Sequence, residues 1–333
     1  MEELISVIVC TYNQESTIGR TLDSILMQQC SLPVEIVIGE DCSTDGTLAV
    51  CQRYAAQYPD RITLFANAEN KGIVDNYFDC LLAARGRYIA DCAGDDFWVD
   101  ATKLEKQLKV LRAHPEVTLV HTDWLFYNEQ TKQPMPHEKR TFDAPFTEGE
   151  NLLEAILTQS RMPVIHLCSS LYRKEAFQQA YDQDTCLFRN KEFGCEDLSL
   201  TFMLARLGSI AYLPDVTLHY SVSHPSISCQ DDDARQYRFV RRTTSLIHYL
   251  SQQYHVETRL VERTMQARFF ALAMHAFRAH RSDLRQEIAD LQKEWGLRLP
   301  MKSRCVMAVM KCEPVWRCCL VFRRLALLFK RGQ

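Results

Sequence analysis

The chain has 333 residues, 47% hydrophobic, 10% aromatic and 24% charged, which excludes a disordered or collagenous protein and leaves room for one large domain with an appendage or two modest domains. Its formal net charge of −3, from 39 basic and 42 acidic residues, supplies no overall field that would draw it onto nucleic acid. Fourteen scattered cysteines without CxxC spacing argue against a disulfide framework, and the acidic start Met1-Glu2-Glu3 predicts no leader and a chain kept in a reducing cytoplasm.

The first half alternates short β-branched apolar runs with helical patterns, the signature of βαβ units and a mainly parallel sheet covered by helices on both faces. Ser6 to Cys10 reads as the first strand, and Ile18, Leu22, Ile25 and Leu26 then recur at helical spacing. Val34 to Ile38 is a second strand with Asp41 to Gly46 as its turn, followed by a helix marked by Leu48, Cys51 and Ala55. Ile62 to Phe65, Val74 to Ala84 and Tyr88 to Cys92 read as strand, helix and strand.

Leu104 to Leu111 is helical and stops before Pro115, and Val117 to Tyr127 is one long strand or two short ones. Residues 130–148, with Pro134, Pro136 and Pro145, read as irregular. Then come a helix over Leu152 to Leu157, a strand over Ile165 to Tyr172, helices over Lys174 to Tyr181 and Leu198 to Leu207, and strands over Ile210 to Leu213 and Val216 to Ser221. The α/β pattern stops near Ser228, and from Asp231 to Trp295 the pattern is helical, so the chain divides into 1–228 and a helical C-terminal region, 229–333.

Three segments carry chemistry. The first strand ends in Thr11-Tyr12-Asn13, polar residues at the carboxyl edge where open α/β sheets bind ligands, although Asn13 would serve equally as an N-cap. The second ends in Glu40-Asp41-Cys42-Ser43-Thr44-Asp45-Gly46-Thr47, a carboxylate-bearing loop at the same edge, where Asp45-Gly46 is also a plain turn pair. Neither strand leads into GxGxxG or GxxxxGK[ST], which counts against dinucleotide-binding and P-loop readings. A diphosphate not wrapped in glycine amides can instead be neutralised by a divalent metal on carboxylate oxygens. The run from Gly86 to Trp98 supplies them in Asp95 and Asp96, adjacent acids that repel unless a cation or solvent separates them.

Together with Asn70-Lys71-Gly72, these segments resemble the family 2 glycosyltransferases over about residues 4 to 228. The resemblance implies an α/β GT-A fold and an inverting transfer from a nucleotide-diphosphate sugar to an acceptor hydroxyl, with Mn²⁺ or Mg²⁺ as cofactor. By the same resemblance the nucleotide-binding residues are Thr11, Tyr12, Asn13, Glu15, Asp41, Ser43, Asn70, Lys71 and Asp95, with Asp41 near the base and Tyr12 alongside it. Asp95 takes the metal, and Asp96 shares the load because Ala93 stands where most relatives place the first acid of a DxD motif. Glu196 and Asp197 match the family's Glu-Asp pair, Asp197 as the base and Glu196 orienting it, although capping and the helix dipole would also explain acids there. His224 matches a histidine that approaches the metal or pyrophosphate.

Relatives of this kind build bacterial surface polysaccharide or lipopolysaccharide, which implies a sugar or lipid-linked oligosaccharide acceptor. A non-catalytic nucleotide-sugar binder, suggested by Ala93, stays open, as does a sugar nucleotidyltransferase, against which the absence of a glycine-rich basic loop counts.

The C-terminal end has its own character. Lys302, Arg304, Lys311, Arg317, Arg323, Arg324, Lys330 and Arg331 stand against Glu313 alone, interleaved with Val306, Val309, Val315, Leu320, Val321, Leu325, Leu327, Leu328 and Phe329. Apolar stretches such as Cys318 to Phe322 fall short of the roughly 20 residues needed to span a bilayer. The pattern predicts peripheral contact with an anionic membrane at its cytoplasmic face, or a helix packed on the protein with solvated charges.

Overall fold

The structure is a computed structural model that describes residues 1–136, 141–142, 144–222 and 232–331, in side-chain detail as far as Arg323. Apolar letters understate the first strand: β1 spans Glu2–Thr11 and is buried from Leu4 to Val9. β2 (Val34–Glu40) is buried throughout, as strands covered on both faces are. Between them α1 (Ile18–Leu26) turns Ile18, Leu22 and Ile25 inward. α2 (Thr47–Gln57), β3 (Ile62–Ala66), α3 (Ile73–Ala83) and β4 (Gly86–Asp91) complete the alternation. β1 pairs in parallel with β2 and β4, and β2 with β3, so every one of these strands delivers its following loop to one edge.

The second half of the sheet is built from β5 (Phe97–Trp98), α4 (Lys103–Ala113), β6 (Val117–Asn128), β7 (Gln133–Met135), β8 (Phe146–Glu148), α5 (Leu153–Thr158), β9 (Ser170–Arg173), α6 (Lys174–Gln183), α7 (Thr185–Arg189), α8 (Asp197–Leu207) and β10 (Ser209–Val222). The strand order is β3-β2-β1-β4-β9-β6-β10-β5, with β7 on β6 and β8 on β10. β9 runs antiparallel between β4 and β6, while β6 and β10 are parallel.

Two expectations change, and one helix is added. The strand read from Ile165 begins only at Ser170, after a 3₁₀ turn over Leu167–Ser169. There the hydroxyls of Ser169 and Ser170 both donate to the His166 carbonyl at 2.8 Å, and such local bonds compete with a ladder. The two strands read around Pro214 are one, β10, whose register against β6 shifts between Leu213 and Val216 because proline cannot donate to the ladder. α7 was not legible: Asp184 caps it by accepting from the Leu187 amide at 2.9 Å, a signal too short for periodicity.

The chain divides into two compact units, Met1–His224 and Pro225–Gln333. The second is helical: α9 (Asp233–Gln253), α10 (Arg259–Ala279), α11 (Ser282–Glu294), α12 (Met301–Lys311) and α13 (Glu313–Arg331). Its core holds Tyr237, Leu250, Phe269, Leu272, Ile288 and Trp295. Met307, Met310 and Trp316 are buried in it too, and the Trp316 indole donates to the Phe277 carbonyl at 2.9 Å. The basic C-terminal segment is therefore not one surface-lying stretch, since its first part packs inward; Val315, Val321 and Phe322 are exposed. No helix among the described residues is long and apolar enough to cross a membrane.

Candidate active site

The parallel strands bring the predicted loops to one sheet edge, and main-chain bonds extend the ladder past the strand ends: the Asp41 amide donates to Thr11, that of Asn67 to Glu40 and that of Gly94 to Cys10. The first two loops are tied together. The Asn13 amide donates to Ser43 Oγ at 2.9 Å, and Asn13 Oδ1 accepts from the Thr44 amide at 2.8 Å. Glu15 accepts from the Gly46 amide at 3.0 Å, so its carboxylate holds loops together. Tyr12 is exposed at the rim.

Asp41 is buried and clamps the third loop. Its carboxylate accepts from Asn67 Nδ2 at 3.0 Å and from the amides of Lys71 and Gly72 at 2.9 Å each, while Asn70 donates to its main-chain carbonyl. The Lys71 ammonium turns to Asp79 at 3.0 Å. A carboxylate has about four acceptor positions, and three are filled from within the fold.

The segment 94–98 is positioned by α1. Thr17 Oγ1 donates to the Gly94 carbonyl at 2.9 Å, Arg20 to that of Asp95 at 3.0 Å and Thr21 Oγ1 to that of Asp96 at 2.7 Å, and Ser24 Oγ accepts from the Trp98 amide at 3.1 Å. Gly94 is required because a Cβ there would stand 2.7 Å from Thr11 Oγ1. The stripe Thr17, Arg20, Thr21, Ser24 falls at helical i, i+3, i+4, i+7 spacing beside the apolar stripe. That polar periodicity was the available signal, and reading only the apolar face of the helix passes over it.

The two acids after β4 diverge. Asp95 is partly exposed, whereas Asp96 is 1% exposed and turned inward, with Oδ1 accepting from the Ser221 amide at 2.9 Å. Its Oδ2 is buried and meets no close donor among the described residues, the Cys168 thiol being the one side chain that reaches the carboxylate. Burial and the charge of Asp95 push the Asp96 carboxyl well up, the Ser221 amide opposing. Asp91, at the end of β4, accepts from Tyr77 Oη at 2.7 Å, and Tyr172 Oη lies 3.0 Å from that of Tyr77. Burial raises Asp91 to about 8 against its hydrogen bond from Tyr77, with the charge of Asp197 adding to the rise.

Asp197 opens α8 and Glu196 precedes it at the N-cap position. Burial first, then the charge of Asp197 and a hydrogen bond to it, raise Glu196 well above the carboxylate range. Asp197 also bears electrostatically on Asp96, Asp91 and His166. Asp96 and His166 thus lie within electrostatic reach of both Asp95 and Asp197. His166 and Cys168, which carried no signal as separate letters, join Asp96 there with ligand atoms within 4.8 Å of one another. His224 lies outside the described residues.

The family model for glycosyl transferase family 2 matches residues 6–180. The chain belongs to that family. An uncharacterized protein of Mycobacterium tuberculosis, Rv1520, is 41% identical over 129 residues, covering 38% of this chain and 37% of its own. The Escherichia coli UDP-Glc:α-D-GlcNAc-diphosphoundecaprenol β-1,3-glucosyltransferase WfaP is 37% identical over 106 residues, 32% of this chain and 40% of its own. The chain spans about two fifths of the length of these curated relatives. Among solved structures, the mannosyltransferase PcManGT of Pyrobaculum calidifontis, in complex with GDP-Man and Mn²⁺, aligns at a TM-score of 0.54 and 18% identity over 97% of this chain and 88% of its own. The fold is the GT-A type.

Proposed function

We infer that the chain transfers a sugar, with inversion, from a nucleotide-diphosphate donor to an acceptor hydroxyl in the synthesis of a bacterial surface polysaccharide. That Asp95 and Asp197 both act on Asp96 and His166 carries this reading, since metal-held donor and base must flank one reacting carbon. WfaP, whose name specifies a diphosphoundecaprenol-linked acceptor, supports a lipid-linked acceptor, and PcManGT supports a nucleotide-sugar donor with Mn²⁺.

The residues fit a hard cation. Mg²⁺ and Mn²⁺ keep waters and substrate phosphate oxygens and need only one or two protein carboxylates, which Asp95 offers from a partly exposed position. When bound, the cation neutralises charge on the departing nucleotide diphosphate. Thr11 and the last acceptor position of Asp41 face the nucleoside, Tyr12 lies alongside the base, and Asn13, Glu15, Ser43, Asn70 and Lys71 hold the loops that form this wall. Asp197 accepts the acceptor hydroxyl proton, and Glu196, keeping its own proton, donates a hydrogen bond that orients it. His224 approaches the pyrophosphate by its resemblance to the family segment.

In the second unit, exposed Val315, Val321 and Phe322 stand among Arg317 and Arg323, an arrangement suited to an anionic membrane surface at the cytoplasmic face, where a lipid-linked acceptor would lie. The test is a panel of nucleotide-diphosphate sugars incubated with Mn²⁺ or Mg²⁺. Metal-dependent release of nucleoside diphosphate from one of them, lost in Asp197→Asn, is the expected result. Binding without release would make the protein a nucleotide-sugar binder, and pyrophosphate-dependent formation of nucleoside triphosphate would make it a nucleotidyltransferase.

A further inference from the structure

We propose that Asp96, His166 and Cys168 form a Zn²⁺ site distinct from the hard-cation position at Asp95. One ligand atom from each lies within 4.8 Å of the others, and Asp95 supplies none of the three. The donor set is the argument. A thiolate and an imidazole with one carboxylate suit Zn²⁺, whereas Mg²⁺ and Mn²⁺ favour oxygen alone. The carboxylate side is already prepared: Asp96 Oδ1 is held by the Ser221 amide, and the buried carboxylate otherwise meets only the Cys168 thiol, with Oδ2 lacking a close donor among the described residues.

The other two ligands are fixed by main chain. The Ala93 amide donates to Cys168 Sγ at 3.3 Å, the Cys168 carbonyl accepts from the Trp98 indole at 2.8 Å, and the His166 ring packs on Tyr220 with centroids 4.7 Å apart. The Cys168 amide meets His166 Nδ1 at 3.3 Å, a bond that orients the ring. Tetrahedral bonds of about 2.0–2.3 Å place ligand atoms roughly 3.5 Å apart, so closure asks for about 1 Å of side-chain movement, with a fourth position left for water. His166 is the partly exposed member and marks the way in. The site stands on geometry and does not depend on sugar transfer.

Co²⁺ reports thiolate ligation directly through a sulfur-to-metal charge-transfer band. Full-length protein is first alkylated to block exposed thiols such as Cys186, Cys305, Cys312 and Cys318, then titrated with Co²⁺ and back-titrated with Zn²⁺. The expected result is one equivalent of Co²⁺ with that band, discharged by Zn²⁺ but not by excess Mg²⁺, absent in Cys168→Ser and weakened by at least about tenfold in affinity in His166→Asn. No band in the wild type, a band that survives Cys168→Ser, or displacement by Mg²⁺ would overturn the proposal. Should Cys168→Ser fail to fold by circular dichroism, His166→Asn decides: unchanged affinity overturns the site and a tenfold loss supports it.

Discussion

The Arg20 guanidinium donates to the main-chain carbonyl of Asp95 at 3.0 Å while lying 4.0 Å from the centre of the Phe97 ring and 2.5 Å from the Glu129 carboxylate. One side chain on α1 thus sets where the Asp95 loop sits relative to the ends of β6 and β10. Arg20→Ala should lower Mn²⁺-dependent nucleotide affinity about tenfold, the scale of one hydrogen bond to a charged group. Arg20→Lys should recover little, because an ammonium cannot stack and fork together. Calorimetric titration of a nucleoside diphosphate decides it, and unchanged affinity in a folded variant refutes the positioning role.

Asp95 and Asp96 should separate in mutagenesis. Asp95→Ala is expected to abolish metal-dependent nucleotide binding and transfer with little change in melting temperature. Asp96→Ala leaves the buried Ser221 amide unpaired and should cost about 1–3 kcal/mol of stability, read from denaturant melts. Full activity of Asp95→Ala across a Mn²⁺ titration would remove Asp95 from the metal site.

Asp197→Asn should lower the transfer rate by about a hundredfold or more while donor affinity stays within a few-fold, as loss of a general base does. Glu196→Gln retains a neutral hydrogen-bond donor and should be milder. Rate and affinity falling together would assign the pair to the start of α8 rather than to chemistry.

Glu129 gives a pH signature. Burial opposes its charge, but bonds from Arg20, Lys132 and Ser221 prevail and hold it at about 2, below its ordinary 4.5. A depressed carboxylate contributes stability above its unfolded value that is lost as pH falls through the folded one. The stability difference between wild type and Glu129→Gln should therefore be full above pH about 4.5 and shrink toward pH 2. A difference independent of pH in paired urea melts would contradict this.

The C-terminal segment should behave as two pieces. Deleting residues 320–333 leaves Met307, Met310 and Trp316 in place, so the protein should fold, hydrolyse donor and lose co-sedimentation with anionic liposomes at low salt. Deleting 303–333 removes those buried side chains and should lower the melting temperature markedly, since each large buried side chain is worth about 2–5 kcal/mol. Sedimentation that is absent in the full chain or unaffected by the shorter deletion would leave the segment purely structural.

Periodicity and residue type alone determined the alternation from β1 to β4, the delivery of Thr11, Asp41 and Asp95 to one edge, the helical second region and the resemblance to the family. These follow from local patterns, because parallel strands joined by helices place their loops on one side whatever the packing. Tertiary structure decided what depends on contacts between distant residues. It turned Asp96 inward onto Ser221, 125 positions away, and spent Asp41 on holding the 70–72 loop. It replaced the start of an expected strand with the turn that presents His166 and Cys168, and buried Trp316 against α10 within a segment that reads as uniformly amphipathic. Whether a carboxylate is a ligand, a clamp or a core group is set by which distant amides and charges reach it, and only the folded chain brings those together.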